Sequence, residues 1–338
     1  MPLLYVILFL MSSFFDIFTV FFPVSGVTTN ILLPPLVAMV ISFFTSMAGI
    51  SGAFLLLPFQ MSVLNYTSPS VSGTNHVFNI VAIPSGVYRY IREGRMAWPL
   101  TWVVVAGTLP GVFLGYYLRV VYLPNPAAFK FFVGCVLLYI GIRMVKDIAG
   151  RATPRSEAAH ALDEKFKTQA EEIKKQQSSR LASGLPAEAV VKTISVSLKK
   201  VEYEFWGERF HFSTTGMFSL ALVVGVIGGA YGIGGGAIIA PFCVAVFHLP
   251  VYTIAGAALM GTFITSVAGA LFFSLIPATN GISAMPDWPL GILFGLGGFA
   301  GVYLGARCQK FVPQRTIKII LAAVIVLLSA KYIIQYLL

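Results

Sequence analysis

Hydrophobic positions in this chain come in long runs, not with the period of a surface helix or a half-buried strand. Extended apolar stretches recur at residues 100–118, 129–142, 290–306 and 317–338. About 20 apolar residues suffice to cross a hydrocarbon core of about 30 Å. Two further runs, 31–64 and 214–248, exceed 30 residues. As single helices each would be roughly 50 Å long, so each is expected to be broken. Each carries a glycine cluster near its middle, and glycine is the residue that breaks a helix at least cost. The opening residues 2–22 are also apolar, and no Lys or Arg precedes Arg89. A secretory signal wants a basic start, so residues 1–30 read as an extra, retained N-terminal membrane helix.

The pattern changes over residues 143–211, which hold 13 of the 23 Lys+Arg and 10 of the 13 Asp+Glu. Residues 154–177 are charged and helix-prone. Ile194, Val196 and Leu198 alternate with polar neighbours. The segment "VEYEFWGERFHFS" alternates Val201, Tyr203 and Phe205, then resumes at Phe210 and Phe212 around Gly207. That is a β-hairpin pattern. This soluble insert, residues 149–213, contains no catalytic constellation, and His160 and His211 read as solvated.

The two apolar parts match in order. "AGISGAFLLLPF" at 48–59 aligns with "YGIGGGAIIAPF" at 231–242; "WPL" at Trp98 matches "WPL" at Trp288; "GVFLG" at Gly111 matches "GVYLG" at Gly301. Three matches in register imply an internal repeat, a habit of secondary transporters. The expected units are residues 31–148 and 214–338. Basic residues vote on topology. In the first half Arg89, Arg92 and Arg95 follow the second helix, whereas the corresponding loop of the second half has none. The next loop reverses the bias, with Arg119 and Lys130 against Arg307, Lys310, Arg315 and Lys318. The repeats therefore read as inverted, each with three ordinary spans and a broken segment that re-enters, and the basic insert is cytoplasmic. A parallel repeat of four crossings is the alternative.

Composition narrows the class. Of 338 residues 57% are hydrophobic and 11% charged, too little charge to cover a soluble protein of this length. The fold class is an all-α polytopic membrane protein of the cytoplasmic membrane, with a small β-hairpin in the insert. Outside residues 143–211 stand ten basic residues and three acids, Asp16, Glu93 and Asp287. Cation carriers place Asp or Glu inside the bilayer; their scarcity points to an anionic substrate. Cys135, Cys243 and Cys308 lie far apart in apolar segments, without metal or redox spacing. No nucleophile–base pair, cofactor motif or nucleic-acid signature is present, so an enzyme, a metal site and a nucleic-acid partner are not expected. The match of "GIGGGA" to a dinucleotide fingerprint fails, because no strand precedes it and no acid follows about 20 residues on.

The candidate site is built on the two glycine turns. Backbone at membrane depth is tolerated only where protein or water satisfies it. A helix starting at such a turn directs N–H groups and a positive dipole end inward, which an anion can use. The candidates are Gly49, Ser51 and Gly52 in the first turn and Gly232, Gly234, Gly235 and Gly236 in the second. The helix after the first turn, "SVSGTNHVFNIVAIPSG", is unusually polar. Ser72, Asn75, His76 and Asn79 share one face at i, i+3, i+4, i+7, with Thr74 beside them; the second half offers Thr262, Thr265 and Ser266. These read as a wall of donors, or as interhelical hydrogen bonding. His76 is the one group of that set that titrates near neutral pH, hence the candidate proton carrier. Gly111/Gly115 and Gly301/Gly305, spaced GxxxG, read as helix-packing positions.

The paired G-I-x-G…P blocks, the "SGTN" helix, the duplication and the hairpin insert resemble the TauE/SafE family, the sulfite exporter and organosulfonate permease group, over roughly residues 32–338. The resemblance implies transport of small sulfur oxyanions or sulfonates. With no nucleotide-binding motif, the expected function is a secondary transporter of a small sulfur-containing anion. An anion channel and a non-transporting membrane partner protein are the alternatives. Substrate, direction and oligomeric state are not fixed by these residues.

Overall fold

The computed structural model describes residues 18–47, 51–92, 96–149, 191–205, 207–247, 249, 251–277, 283–308 and 314–338. Both over-long runs are broken. The first forms α1 (Leu33–Met47) and α2 (Ala53–Ser62); the second forms α7 (Thr214–Tyr231), a 3-10 turn at Gly235–Ala237, and α8 (Ile239–Phe247). Between them lie α3 (Ser70–Ala82), α4 (Pro84–Arg92), α5 (Trp98–Tyr117) and α6 (Pro126–Ile148). After them come α9 (Val251–Leu275), α10 (Trp288–Cys308) and α11 (Gln314–Leu337). A π-helical turn, Leu118–Tyr122, prolongs α5. Among the described residues, six helices are long and apolar enough to cross a membrane: α5 with its π-turn, α6, α7, α9, α10 and α11.

The N-terminal region corrects one expectation. Residues read as the end of a membrane helix form a hairpin instead, β1 (Thr19–Phe22) paired antiparallel with β2 (Val27–Asn30). Gly26 turns the chain at φ +69°. The segments are rich in β-branched and aromatic residues, which favour strands, and an apolar run alone does not separate helix from strand. Residues 1–17 lie outside the described residues.

Close helix contacts run through glycine. On α5, Gly107, Gly111 and Gly115 lie against Ala221, Gly225 and Gly229 of α7, so near that a β-carbon on Gly111 would stand 2.8 Å from Gly225 Cα. The order of these contacts makes the two helices parallel. The same construction joins α10 to α1, where Gly297, Gly301 and Gly305 lie against Pro35, Met39 and Phe43. Small residues at every fourth position let backbones approach where lipid supplies no hydrophobic drive. The packing expected at Gly111/Gly115 and Gly301/Gly305 is what is found. A third pair, α6 and α11, is antiparallel: Gly134 meets Tyr332 and Gly141 meets Val326.

The two ends of the second broken run lie close together. Phe247 at the end of α8 lies 6.5 Å, centroid to centroid, from Phe212, just before α7. Cys243 Sγ is 3.7 Å from Met217 Sδ. In the first half Gly52, at the start of α2, touches Ser42 of α1.

The described part of the insert is a three-stranded antiparallel sheet, β3 (Lys192–Val196), β4 (Lys200–Phe205) and β5 (Glu208–Ser213), in that order. Gly207, at φ +74°, lies between β4 and β5. Val201, Tyr203, Phe205 and Phe212 are buried, whereas β3 is exposed throughout. Tyr203 Oη lies 2.8 Å from Thr253 Oγ1, docking the sheet on the start of α9. His211 is exposed. The helix-prone segment 154–177 and His160 lie outside the described residues.

Arg119, read as a loop residue, and the acid Asp287 are both buried. Arg119 lies wholly inside, in the π-helical turn. Asp287, 1% exposed, caps α10 by accepting the Leu290 N–H at 3.1 Å. It also accepts from Ser25 N–H at 3.0 Å and Ser25 Oγ at 2.7 Å, tying the N-terminal hairpin to the bundle. A capping carboxylate is legible only once the helix start is known.

Candidate polar site at the glycine turns

The second turn is shaped by what its backbone must touch. Gly232, at φ +86°, ends α7, and the N–H groups of Gly232, Ile233 and Gly234 all point to the Gly228 carbonyl, at 2.9, 3.0 and 3.3 Å. Gly234 is again left-handed, at φ +76°. Three other helices close on this backbone. A β-carbon on Gly232 would stand 2.8 Å from Ser72 Cα, and one on Gly234 2.8 Å from Ser266 Oγ. On Gly235 it would stand 2.5 Å from Thr108 Cβ, and on Gly236 2.6 Å from the Thr262 nitrogen. Glycine is needed here for approach as well as for φ.

The polar face of α3 is the wall against which the turns rest. Ser72 Oγ donates to the Ala230 carbonyl at 2.8 Å, and Asn79 Nδ2 to the Gly232 carbonyl at 3.4 Å. His76 Nδ1 lies 3.4 Å from Ser266 Oγ. Asn75 faces the first turn: its Nδ2 donates to the Ala53 carbonyl at 3.2 Å, and its Oδ1 accepts from Gln60 Nε2 at 3.4 Å. The two turns themselves meet, since the Tyr231 hydroxyl donates to the Phe54 carbonyl at 2.8 Å.

All five polar residues singled out on α3 are buried, but they do not act together. Ser72, His76 and Asn79 reach the second turn and Asn75 the first. Thr74 turns away, meeting Tyr66 Oη at 2.8 Å and accepting the Asp287 N–H at 2.8 Å. Thr262 donates within its own helix to Ala258 at 2.8 Å. The Gly235 N–H, expected to be open, is taken by Thr265 Oγ1 at 3.0 Å. Ser51 Oγ accepts the Ala53 N–H at 3.3 Å, a local turn contact. Gly49 lies outside the described residues.

Among the described residues, four buried side-chain atoms have no hydrogen-bond partner: Ser42 Oγ, Gln60 Oε1, His76 Nε2 and Asn79 Oδ1. Each belongs to a residue that touches a turn or its polar wall. Leaving such atoms unpaired costs about 1–3 kcal/mol each; an ordered water or a ligand would pair them. An amide can present oxygen or NH2 by a half-turn of its last torsion, and a His Nε2–H can donate.

Sequence reasoning missed Gln60, Tyr231 and Arg119. A lone amide in the otherwise apolar "AFLLLPFQMS" was an available signal for the first. The role of Tyr231 depends on a partner 177 residues away. The Arg119 guanidinium donates through Nε to Ser72 Oγ at 3.3 Å, through Nη2 to the Thr67 carbonyl at 3.0 Å and through Nη1 to the Leu123 carbonyl. Its Cζ lies 3.6 Å from the Phe129 ring centroid. Only the helical continuation past Tyr117 carries it inside.

The model of the sulfite exporter TauE/SafE family matches residues 35–332. The chain is also similar to a probable membrane transporter protein, YunE, of Bacillus subtilis (strain 168), 21% identical over 297 residues that cover 85% of this chain and 92% of the relative. No solved structure matches significantly. A multi-pass bundle of apolar helices with a buried polar site at broken segments is the form a membrane transporter takes, and with the match covering most of its length the chain belongs to the TauE/SafE sulfite exporter family of membrane transporters.

Proposed function

We propose that this protein is a secondary transporter that moves a small sulfur-containing anion, of the sulfite, thiosulfate or sulfonate class, across the cytoplasmic membrane. The observation that carries the reading is the cluster of unpartnered buried atoms on Gln60, His76 and Asn79 beside the two glycine turns. A small anion with several oxygens would supply acceptors to reoriented amide NH2 groups, to a His76 N–H and to turn backbone released from Thr265. The near absence of carboxylates outside the insert favours an anion over a cation. The sulfur class rests on the family.

The proposed topology is a pair of inverted repeats, each a re-entrant helical hairpin plus three crossings. Three observations support it. The α7–α8 hairpin returns to the insert side, where it began. Helix α9 starts at the insert, through Thr253 and Tyr203, and ends where the Tyr116 hydroxyl of α5 donates to the Ile276 carbonyl at 2.7 Å. The parallel pairs α5/α7 and α1/α10 interchange the halves. The insert is assigned to the cytoplasm from its charge, and His76 is the proposed proton carrier if movement is proton-coupled.

Flux of radiolabelled sulfite, thiosulfate and a sulfonate into proteoliposomes tests the function. Saturable uptake of at least one is expected; no flux of any of them refutes the reading, and non-saturating flux replaces the carrier with a channel. In a cysteine-free background, impermeant thiol labelling of Leu198→Cys and Leu338→Cys should occur from opposite sides. Labelling from one side would overturn the inverted arrangement.

A further inference from the structure

We propose that Arg119 is a substrate-contacting residue, its guanidinium supplying the fixed positive charge against which the transported anion docks beside Ser72. The inference rests on the anion-transport reading above. It starts from an imbalance. The side chain is completely buried, and every partner it has is neutral: one hydroxyl, two backbone carbonyls and one aromatic face. Among the described residues no carboxylate pairs with it. Asp287, the buried acid, spends its oxygens on Ser25 and on the start of α10. A buried charge without a counter-ion is costly, and the described residues provide none, whereas a small oxyanion would provide one.

Geometry places that charge at the site. Ser72 Oγ, which accepts from Arg119 Nε at 3.3 Å, donates at 2.8 Å to Ala230, two residues before Gly232. One hydroxyl therefore stands between the guanidinium and the glycine turn. The three hydrogen bonds leave two of the five guanidinium N–H groups free for a ligand, and that planar fork suits bidentate contact with an oxyanion. Along the same face of α3 follow His76 and Asn79, each with an unpartnered atom. Arg119 and these residues form one polar column, charged at the Ser72 end. A purely structural arginine, clamping the Thr67 and Leu123 carbonyls, would not need the Ser72 contact.

The test is thiosulfate uptake by proteoliposomes containing the parent, Arg119→Gln and Arg119→Lys. Charge-assisted hydrogen bonds are worth about 1.5–3 kcal/mol, so Arg119→Gln should raise the half-saturating thiosulfate concentration about ten- to hundredfold. Arg119→Lys, which keeps the charge, should recover most of that loss. A structural role predicts the reverse: lower stability and fewer active molecules at unchanged half-saturation, with no recovery specific to a cation. Parental half-saturation in Arg119→Gln overturns the inference while leaving the transporter reading intact; a parent without flux fails that reading first. If neither variant assembles, hydrogen exchange of the parent decides. Thiosulfate, against chloride at equal ionic strength, should slow exchange in peptides covering residues 64–74 and 118–125. Unchanged exchange there overturns the inference.

Discussion

Replacing Gly232 by Ala separates two costs that a left-handed glycine can hide. Gly232 has φ +86° and ψ +17°, a conformation that costs a residue with a β-carbon about 1–2 kcal/mol. Its new β-carbon would also stand 2.8 Å from Ser72 Cα and 2.9 Å from the Ser72 carbonyl carbon. Carbon atoms rest about 3.5–4.0 Å apart, so α3 and the turn must separate by about 1 Å. Backbone cannot rotate away as a side chain can, and overpacking of this kind costs about 1–3 kcal/mol more. Gly207 is the control: it is equally left-handed, at φ +74°, but a β-carbon there meets nothing within 4 Å. Gly207→Ala should therefore lose about 1 kcal/mol, the strain less the entropy that alanine removes from the unfolded chain. Gly232→Ala should lose about 1–4 kcal/mol by the same reckoning. Thermal unfolding in detergent reads the difference. Proteoliposome uptake reads its consequence, because the 1 Å shift displaces Ser72 and Asn79 from Ala230 and Gly232. Uptake should fall sharply in Gly232→Ala and stay at the parental level in Gly207→Ala. Equal stability and equal uptake in the two variants would refute both the close approach and the placement of the site.

Gly111→Ala and Gly301→Ala should each destabilise by about 1–3 kcal/mol, since their β-carbons would meet backbone of the partner helix, at 2.8 Å from Gly225 Cα and 2.9 Å from the Met39 carbonyl carbon. Gly216→Ala, whose nearest neighbour would be 3.4 Å away, should be neutral or stabilising, and a shared effect of all three in thermal unfolding would refute the packing argument. His76→Gln keeps hydrogen-bonding capacity but cannot change charge. If movement is proton-coupled, the variant should bind anion at fixed pH yet lose the pH dependence of uptake, measured with a sulfonate that stays singly charged; an unchanged pH profile would make His76 structural.

The membrane character, the break in each long run and the polar face of α3 were legible because they follow from local rules. A bilayer limits helix length and composition, and a buried face repeats every three to four residues. The GxxxG positions were legible for the same reason: their spacing is fixed by helix geometry before any partner is known. The N-terminal hairpin was not, because an apolar segment of β-branched and aromatic residues fits either state until pairing decides. Neither was the division of labour on α3. Ser72 and Thr74 are both hydroxyl residues in one turn of helix, yet one bonds Ala230, 158 residues away, and the other Asp287, 213 residues away. Arg119 shows the limit most sharply. In the sequence it is a basic residue after an apolar run, indistinguishable from a topology signal. A π-helical turn and the approach of Ser72, Thr67 and Phe129 bury it. Burial of a charge is a property of what surrounds it, and those surroundings come from segment 67–72 as well as from Arg119's own neighbourhood, 118–129.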